Sequence, residues 1–181
     1  MSDSTKNKIL NAAESIALRD GVAHLTLDAV AAEAGLSKGG VLYNFATKEA
    51  LIQGMVNRLI EEVNAEMSRS VEADPLPRGR LLRAYLGVSF PEKSAASERV
   101  NQIAAVLLSA VMTDPKLLEP VRRHTAEIQK RLLEDGVEEN AVHTIRYAAD
   151  GMWLADILNM PAPKPAARKR FIQHLYSLTR E

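Results

Sequence analysis

An all-α fold of about nine helices is what this sequence predicts, and three observations carry it. Apolar residues recur at spacings of three and four through almost every segment, which is the period of one helix face. Capping and breaking residues fall between those runs: Thr26, Gly35, Ser37 and Thr47 early in the chain, Pro75, Pro77, Pro115, Pro161, Pro163 and Pro165 later. No stretch shows the strict alternation of a half-buried strand.

The first helix is expected from about Thr5 to Arg19, with Ile9, Ala12, Ala13, Ile16 and Ala17 as its buried stripe and Asp20-Gly21 as its end. Thr26 can cap the second, because its hydroxyl can accept from an unpaired N–H of the opening turn. Leu27, Val30, Ala31 and Ala34 then share one face. Gly35 follows, where a left-handed residue closes a helix cheaply. Ser37 caps a brief third helix, Lys38 to about Asn44, and Thr47 caps a long fourth reaching about Val71. Its stripe is Ile52, Val56, Leu59, Ile60, Val63 and Met67, and Glu49 suits the positive end of its dipole. Asp74-Pro75-Leu76-Pro77 breaks the chain. Helices then follow over about Arg80–Phe90, Ser97–Met112 and Asp114–Glu134, the last with a kink or a fresh start at Pro120. Two more, about Glu138–Asn159 and Pro165–Thr179, flank a stiff proline connector.

The 181 residues suffice for one large domain or two small ones; the expected division is a head over 1–47 and a body over 48–181. No cysteine is present, which excludes disulfides, thiolate chemistry and cysteine zinc sites. No apolar run approaches the roughly 20 residues a membrane span needs. The opening MSDSTKNK lacks the apolar core of a signal peptide, so a cytoplasmic location is expected. His24, His124, His143 and His174 are scattered, and there is no HExxH, nucleophile elbow or phosphate loop. No metal, no cofactor and no enzymatic activity are expected.

Helix, glycine turn, helix over Thr26–Asn44 is the helix-turn-helix pattern, whose second helix enters the DNA major groove. Base reading would fall to Ser37, Lys38, Gly39 and Asn44, with Leu42 either touching DNA or packing inward. Lys reads guanine edges and Asn adenine; the sequence leaves open which of them does so. Gly39 and Gly40 each cost about 1 kcal/mol against alanine in a helix, and their use would be close approach of backbone to the duplex. Charge gives little help. The net charge is zero, and the first fifty residues hold five cations against six acids. Between Leu36 and Lys48, however, there is no acid.

Ile9-Leu10-Asn11-Ala12-Ala13, Gly21, Gly35-Leu36-Ser37, Leu42-Tyr43-Asn44-Phe45 and Lys48-Glu49-Ala50-Leu51 follow in that order through to about Met55. Together they resemble the DNA-binding domain of the tetracycline-repressor (TetR) family of bacterial regulators, over roughly the first third of the chain. The resemblance implies that Tyr43, Lys48 and Thr26 bond phosphates of double-stranded DNA. It also implies a homodimer through the last two helices, and a small molecule entering the body to release a repressor from a near-palindromic operator.

Trp153, the single tryptophan, could wall a pocket, anchor an interface or fill the core. Asp150 and Asp156 lie near it, and facing a cavity they would favour a cationic ligand. Tyr85, Phe90, Leu107, Met112, Ile128, Trp153 and Asp156 are the expected ligand-binding set. The reading is a ligand-responsive DNA-binding regulator. A constitutive DNA-binding protein without a ligand, or a helical enzyme or adaptor, is the alternative.

Overall fold

The computed structural model describes residues 2–92 and 94–180. Among the described residues there are nine α-helices and no strand. They are α1 Ser2–Asp20, α2 Leu27–Ala34, α3 Lys38–Asn44, α4 Lys48–Ala73, α5 Arg80–Ser89, α6 Ala95–Thr113, α7 Glu119–Leu133, α8 Glu139–Ile157 and α9 Pro165–Leu178. Two short 3-10 turns, Val22–His24 and Pro115–Leu118, complete the list.

The helix ends follow their capping chemistry. Thr26 Oγ1 accepts the Ala29 amide at 3.1 Å, Ser37 Oγ that of Gly40 at 3.1 Å, and Thr47 Oγ1 that of Ala50 at 3.1 Å. Each satisfies one otherwise orphaned N–H, a contribution of about 1 kcal/mol. Gly35 closes α2 in the left-handed region at φ 64°, and the Leu36 amide returns to Ala31 O at 2.9 Å. At Pro120 the chain makes a fresh start. Asp114 Oδ1 accepts the Lys116 amide at 3.0 Å to open the 3-10 turn, and Pro120 stands in the first turn of α7. Its missing N–H has no helical partner there in any case.

The chain forms two compact units, residues 1–60 with 98–122 and residues 61–97 with 123–181. The division expected at 47/48 is one of motif, whereas the first unit also gathers the start of α4 and most of α6. Its core joins Ile9, Ala13 and Ile16 of α1 to Val30, Val41, Phe45, Leu51, Met55, Ile103 and Leu107. The second core joins Met67, Leu82, Leu86, Leu132, Ile145, Ala149 and Leu175. The break after α4 is a packed loop. Arg83 donates Nε to Asp74 Oδ2 at 2.6 Å, Nη2 to Leu76 O at 2.7 Å and Nη1 to Arg78 O at 3.0 Å. Gly79, at φ 72°, lets the Thr179 carbonyl stand where a β-carbon would be.

Candidate functional site

The short helix α3 is held from behind and open in front. Val41 and Phe45 are 0% and 5% exposed and anchor it in the first core. Tyr43, two residues from each, is 88% exposed and points away from that core, so it is not a half-buried core aromatic. Leu42, 40% exposed, also faces outward. Thr26, Ser37, Lys38 and Gly39 are exposed and Gly40 partly so. A β-carbon added at Gly39 would meet nothing within 4 Å. The chain's own packing therefore does not require that glycine, although it weakens the helix.

Three side chains expected at this face are already engaged. Lys38 Nζ donates to Asp28 Oδ2 at 3.0 Å, an exposed pair that a phosphate can replace at little cost. Asn44 Nδ2 donates to Gly40 O at 2.9 Å within α3. Lys48 turns inward: its Nζ donates to Val22 O at 2.8 Å and Ala23 O at 3.4 Å, tying the start of α4 to the 3-10 turn before α2.

Sequence reasoning missed Gly54. A β-carbon there would stand 2.5 Å from Phe45 Cε1 and 3.4 Å from Leu10 Cδ2. The only sequence signal was a glycine inside a strongly periodic helix.

The seven residues expected to bind a ligand are divided between the two units. Leu107 and Met112 belong to the first unit and the other five to the second. Leu107 and Ile128 are core residues at 3% and 4% exposure. Met112 is 75% exposed, because it lies one residue past the inward row Ile103, Leu107, Ala110 and Val111. Trp153 is half-buried on α8 and so is not a sealed core residue. Asp156 is held by Arg168 through two bonds of 3.0 and 2.5 Å, and the same guanidinium lies 5.6 Å over the Phe90 ring. Asp150 accepts from the Tyr85 hydroxyl and lies 3.7 Å from Arg146 Nε. Burial foremost, then the Asp150 charge, pushes the Tyr85 phenol pKa up, so it is a hydrogen-bond donor at neutral pH. Both carboxylates offered to a cationic ligand thus have arginine partners.

Two of the molecule's concavities are lined by none of those seven residues. One of about 380 Å³ lies along α9, over Arg168, Ile172 and Tyr176. One of about 530 Å³ lies in the first unit, over Val22, Lys48, Ile52 and Leu117. Among the described residues no cluster of three metal-ligating side chains occurs, and no helix is long and apolar enough to cross a membrane.

The outward row of α8 has its own pattern. Asn140, Thr144, Tyr147, Gly151 and Leu154, with Leu158 just beyond, are all exposed. Their spacing of four, three, four, three, four is that of a helix–helix seam. A β-carbon at Gly151 would meet nothing within 4 Å.

Comparison with known proteins matches both parts. Residues 9–55 match the profile of bacterial regulatory proteins of the tetR family, and residues 79–180 that of the tetracycline repressor-like C-terminal domain. The HTH-type transcriptional regulator BetI of Paraburkholderia phymatum is 27% identical over 149 residues, covering 78% of this chain and 75% of that one. The HTH-type transcriptional regulator TtgR of Pseudomonas putida is 31% identical over 103 residues, covering 55% of this chain and 48% of its own. The match thus spans about half the length of that relative. The crystal structure of the multidrug binding protein EbrR complexed with ethidium superposes with a TM-score of 0.63 at 25% identity, covering 96% of this chain and 98% of that one.

Proposed function

Because the chain belongs to the tetR family of bacterial regulatory proteins, we propose that it is a dimeric, ligand-responsive transcriptional repressor that reads a near-palindromic DNA operator. The observation that carries the DNA reading is the face of α3. There an 88% exposed tyrosine, an open glycine and a stretch without acids from Leu36 to Lys48 stand on a rigid base. Tyr43 and Thr26 bond phosphates in this reading. Ser37, Lys38 and Asn44 meet base edges, and Gly39 and Gly40 let the backbone approach. Lys48 holds the 3-10 turn in register rather than spending its charge on a phosphate.

The dimer forms through α8 and α9, with the seam row of α8 against its mate. The two copies of α3 then face successive major grooves, about 34 Å apart. A small molecule bound in the second unit, beside Trp153, favours an arrangement in which that spacing no longer fits. Differential affinity for the two states is all that release requires. Repression is carried over from the family, whose C-terminal domain is described as tetracycline repressor-like, and the effector from neighbours such as the multidrug binding protein EbrR. With Asp150 and Asp156 already paired, an effector there gains less from positive charge than the sequence suggested.

Selection of random duplex DNA by the purified protein tests the reading, followed by titration of the enriched sequence at several salt concentrations. A two-fold symmetric sequence, bound less tightly as salt rises and several-fold less tightly by Tyr43→Phe, is the expected result. No enrichment by an intact dimer would refute it. For the effector, a panel of lipophilic small molecules is expected to contain one that raises the Tm of the wild type but not of Trp153→Ala.

A further inference from the structure

The chain passes between its two units three times: in α4 after residue 60, in α6 before residue 98 and in α7 after residue 122. Two of those passages lie beside a single buried carboxylate. Glu14, on α1, is only 8% exposed. Its Oε1 accepts from Arg58 Nε at 3.0 Å and its Oε2 from Arg99 Nη1 at 2.6 Å. Arg58 stands two residues before the end of its stretch of the first unit, and Arg99 one residue after the start of the other. Arg58 also donates Nη1 to Asn11 Oδ1 at 2.7 Å, so α4 grips α1 at two points one turn apart.

This arrangement is a poor device for stability alone. One carboxylate faces two guanidinium groups, and Arg58 is only 14% exposed. Apolar side chains of similar size commonly stabilise such a position as well or better, because buried charges lose hydration. What the charges add is a defined geometry between three helices. From Glu14 the route to the DNA face is short and lies within the first unit. Two residues on, Ile16 packs in the core that holds Val30 of α2 and Val41 of α3. Farther along, Arg19 Nη2 meets Glu33 Oε2 of α2 at 3.3 Å.

We propose that Glu14 is a positioning residue for DNA reading, the junction through which Arg58 of α4 and Arg99 of α6 fix α1 and, with it, the recognition helix. The proposal rests on the DNA-reading function proposed above. Arg99 is the diagnostic partner. Its side chain is 41% exposed, so its loss leaves a folded protein, and it lies in a helix that the helix-turn-helix does not contain.

The test uses the full chain and three variants, Glu14→Gln, Arg99→Gln and Arg99→Lys. Amide hydrogen exchange and affinity for the selected duplex are both measured well below the Tm. Arg99→Gln and Glu14→Gln are expected to weaken binding by about fivefold or more, the lower range of measured couplings, and Arg99→Lys by no more than about twofold. Combined, the two glutamine substitutions weaken binding by less than the product of their separate effects, because both break the Glu14–Arg99 contact. Exchange in α1, α2 and α3 rises in Arg99→Gln, while that in α8 and α9 stays as in the wild type. A folded Arg99→Gln with wild-type affinity and wild-type exchange in α1 overturns the proposal, even if its Tm falls, since that is what a purely structural pair would give. If the wild type itself enriches no DNA, the DNA-reading function fails separately, and the exchange measurement alone decides for or against the junction.

Discussion

The ring of Phe45 occupies the space in which a β-carbon on Gly54 would stand, with Cε1 2.5 Å from that position. Phe45 closes α3 and Gly54 lies inside α4, so this one contact sets how closely the recognition helix sits on the long helix behind it. Gly54→Ala gains about 1 kcal/mol of helix propensity. Against that it forces a rigid ring out of a filled core, where overpacking costs about 1–3 kcal/mol. The expected outcome is a protein less stable by about 1 kcal/mol, with a larger loss in DNA affinity than its stability alone would cause. Urea unfolding and duplex titration check it. A Gly54→Ala variant more stable than wild type would show that the ring moves aside freely.

Lys48 separates two roles that the sequence could not. A phosphate contact and a structural tie both call for a lysine at the first turn of the long helix. The structure sends its ammonium to Val22 O and Ala23 O. Lys48→Met is therefore expected to lower stability by about 1.5–3 kcal/mol, the range of a hydrogen bond to a charged group. Its DNA affinity falls, yet the slope of log affinity against log salt stays at the wild-type value. A phosphate-binding lysine would instead reduce that slope by about one when removed.

The helices themselves were legible because their signals are local. Thr26, Gly35, Ser37 and Thr47 act on backbone groups within four residues, so the sequence holds both partners of each bond. The front of α3 was legible for the same reason: Val41 and Phe45 are one turn apart and fix where Tyr43 points. What was not legible depends on partners far along the chain. The destination of Lys48 is set by carbonyls 25 and 26 residues away, and that of Glu14 by arginines 44 and 85 residues away. Core and cavity wall could not be told apart in the ligand-binding set, because aromatic and apolar residues at helical spacing have the same pattern in a core as around a cavity. Leu107 and Ile128 took the first destination.

Acid stability has a specific handle in the second unit. The hydrogen bond from Arg83, and after it the Leu76 amide, holds the Asp74 carboxyl below its ordinary value of 3.8. The unfolded chain therefore binds a proton at Asp74 before the folded protein does, and the contribution of this group to stability rises with pH across that interval. It is fully present above about pH 5, where the unfolded carboxyl has ionised, and is lost as pH falls through the lower folded value. Asp74→Asn is expected to be less stable than wild type at pH 7, with the difference shrinking as pH falls from 5 to 3. Asp135 in the same unit is shifted upward by burial and titrates in the opposite sense. Only the wild-type-minus-variant difference isolates Asp74, since Asp135 is common to both. A difference that stays constant from pH 7 to pH 3 would assign the loss to packing.

Gly151 offers the sharpest test of the dimer. Its helix gains nothing from a glycine, because an added β-carbon meets no atom of its own chain within 4 Å, and glycine weakens a helix interior by about 1 kcal/mol relative to alanine. It sits at the middle of the exposed row from Asn140 to Leu158, flanked by Tyr147 and Leu154. A second copy of α8 crossing there would use the missing side chain to come close, with the larger residues interlocking on either side. Gly151→Arg is then expected to sediment as a monomer of unchanged helix content. Its affinity for the symmetric duplex should fall by about a hundredfold or more, the loss of linkage between two half-sites, while its weak affinity for a single half-site stays near wild type. Gly151→Ala separates the two effects within one residue. In the monomer it strengthens α8, and across a crossing point it pushes two helices apart, so a variant that dissociates at higher protein concentration than wild type locates the contact. If Gly151→Arg remains a dimer at the same concentrations as wild type, the two copies meet elsewhere on the chain.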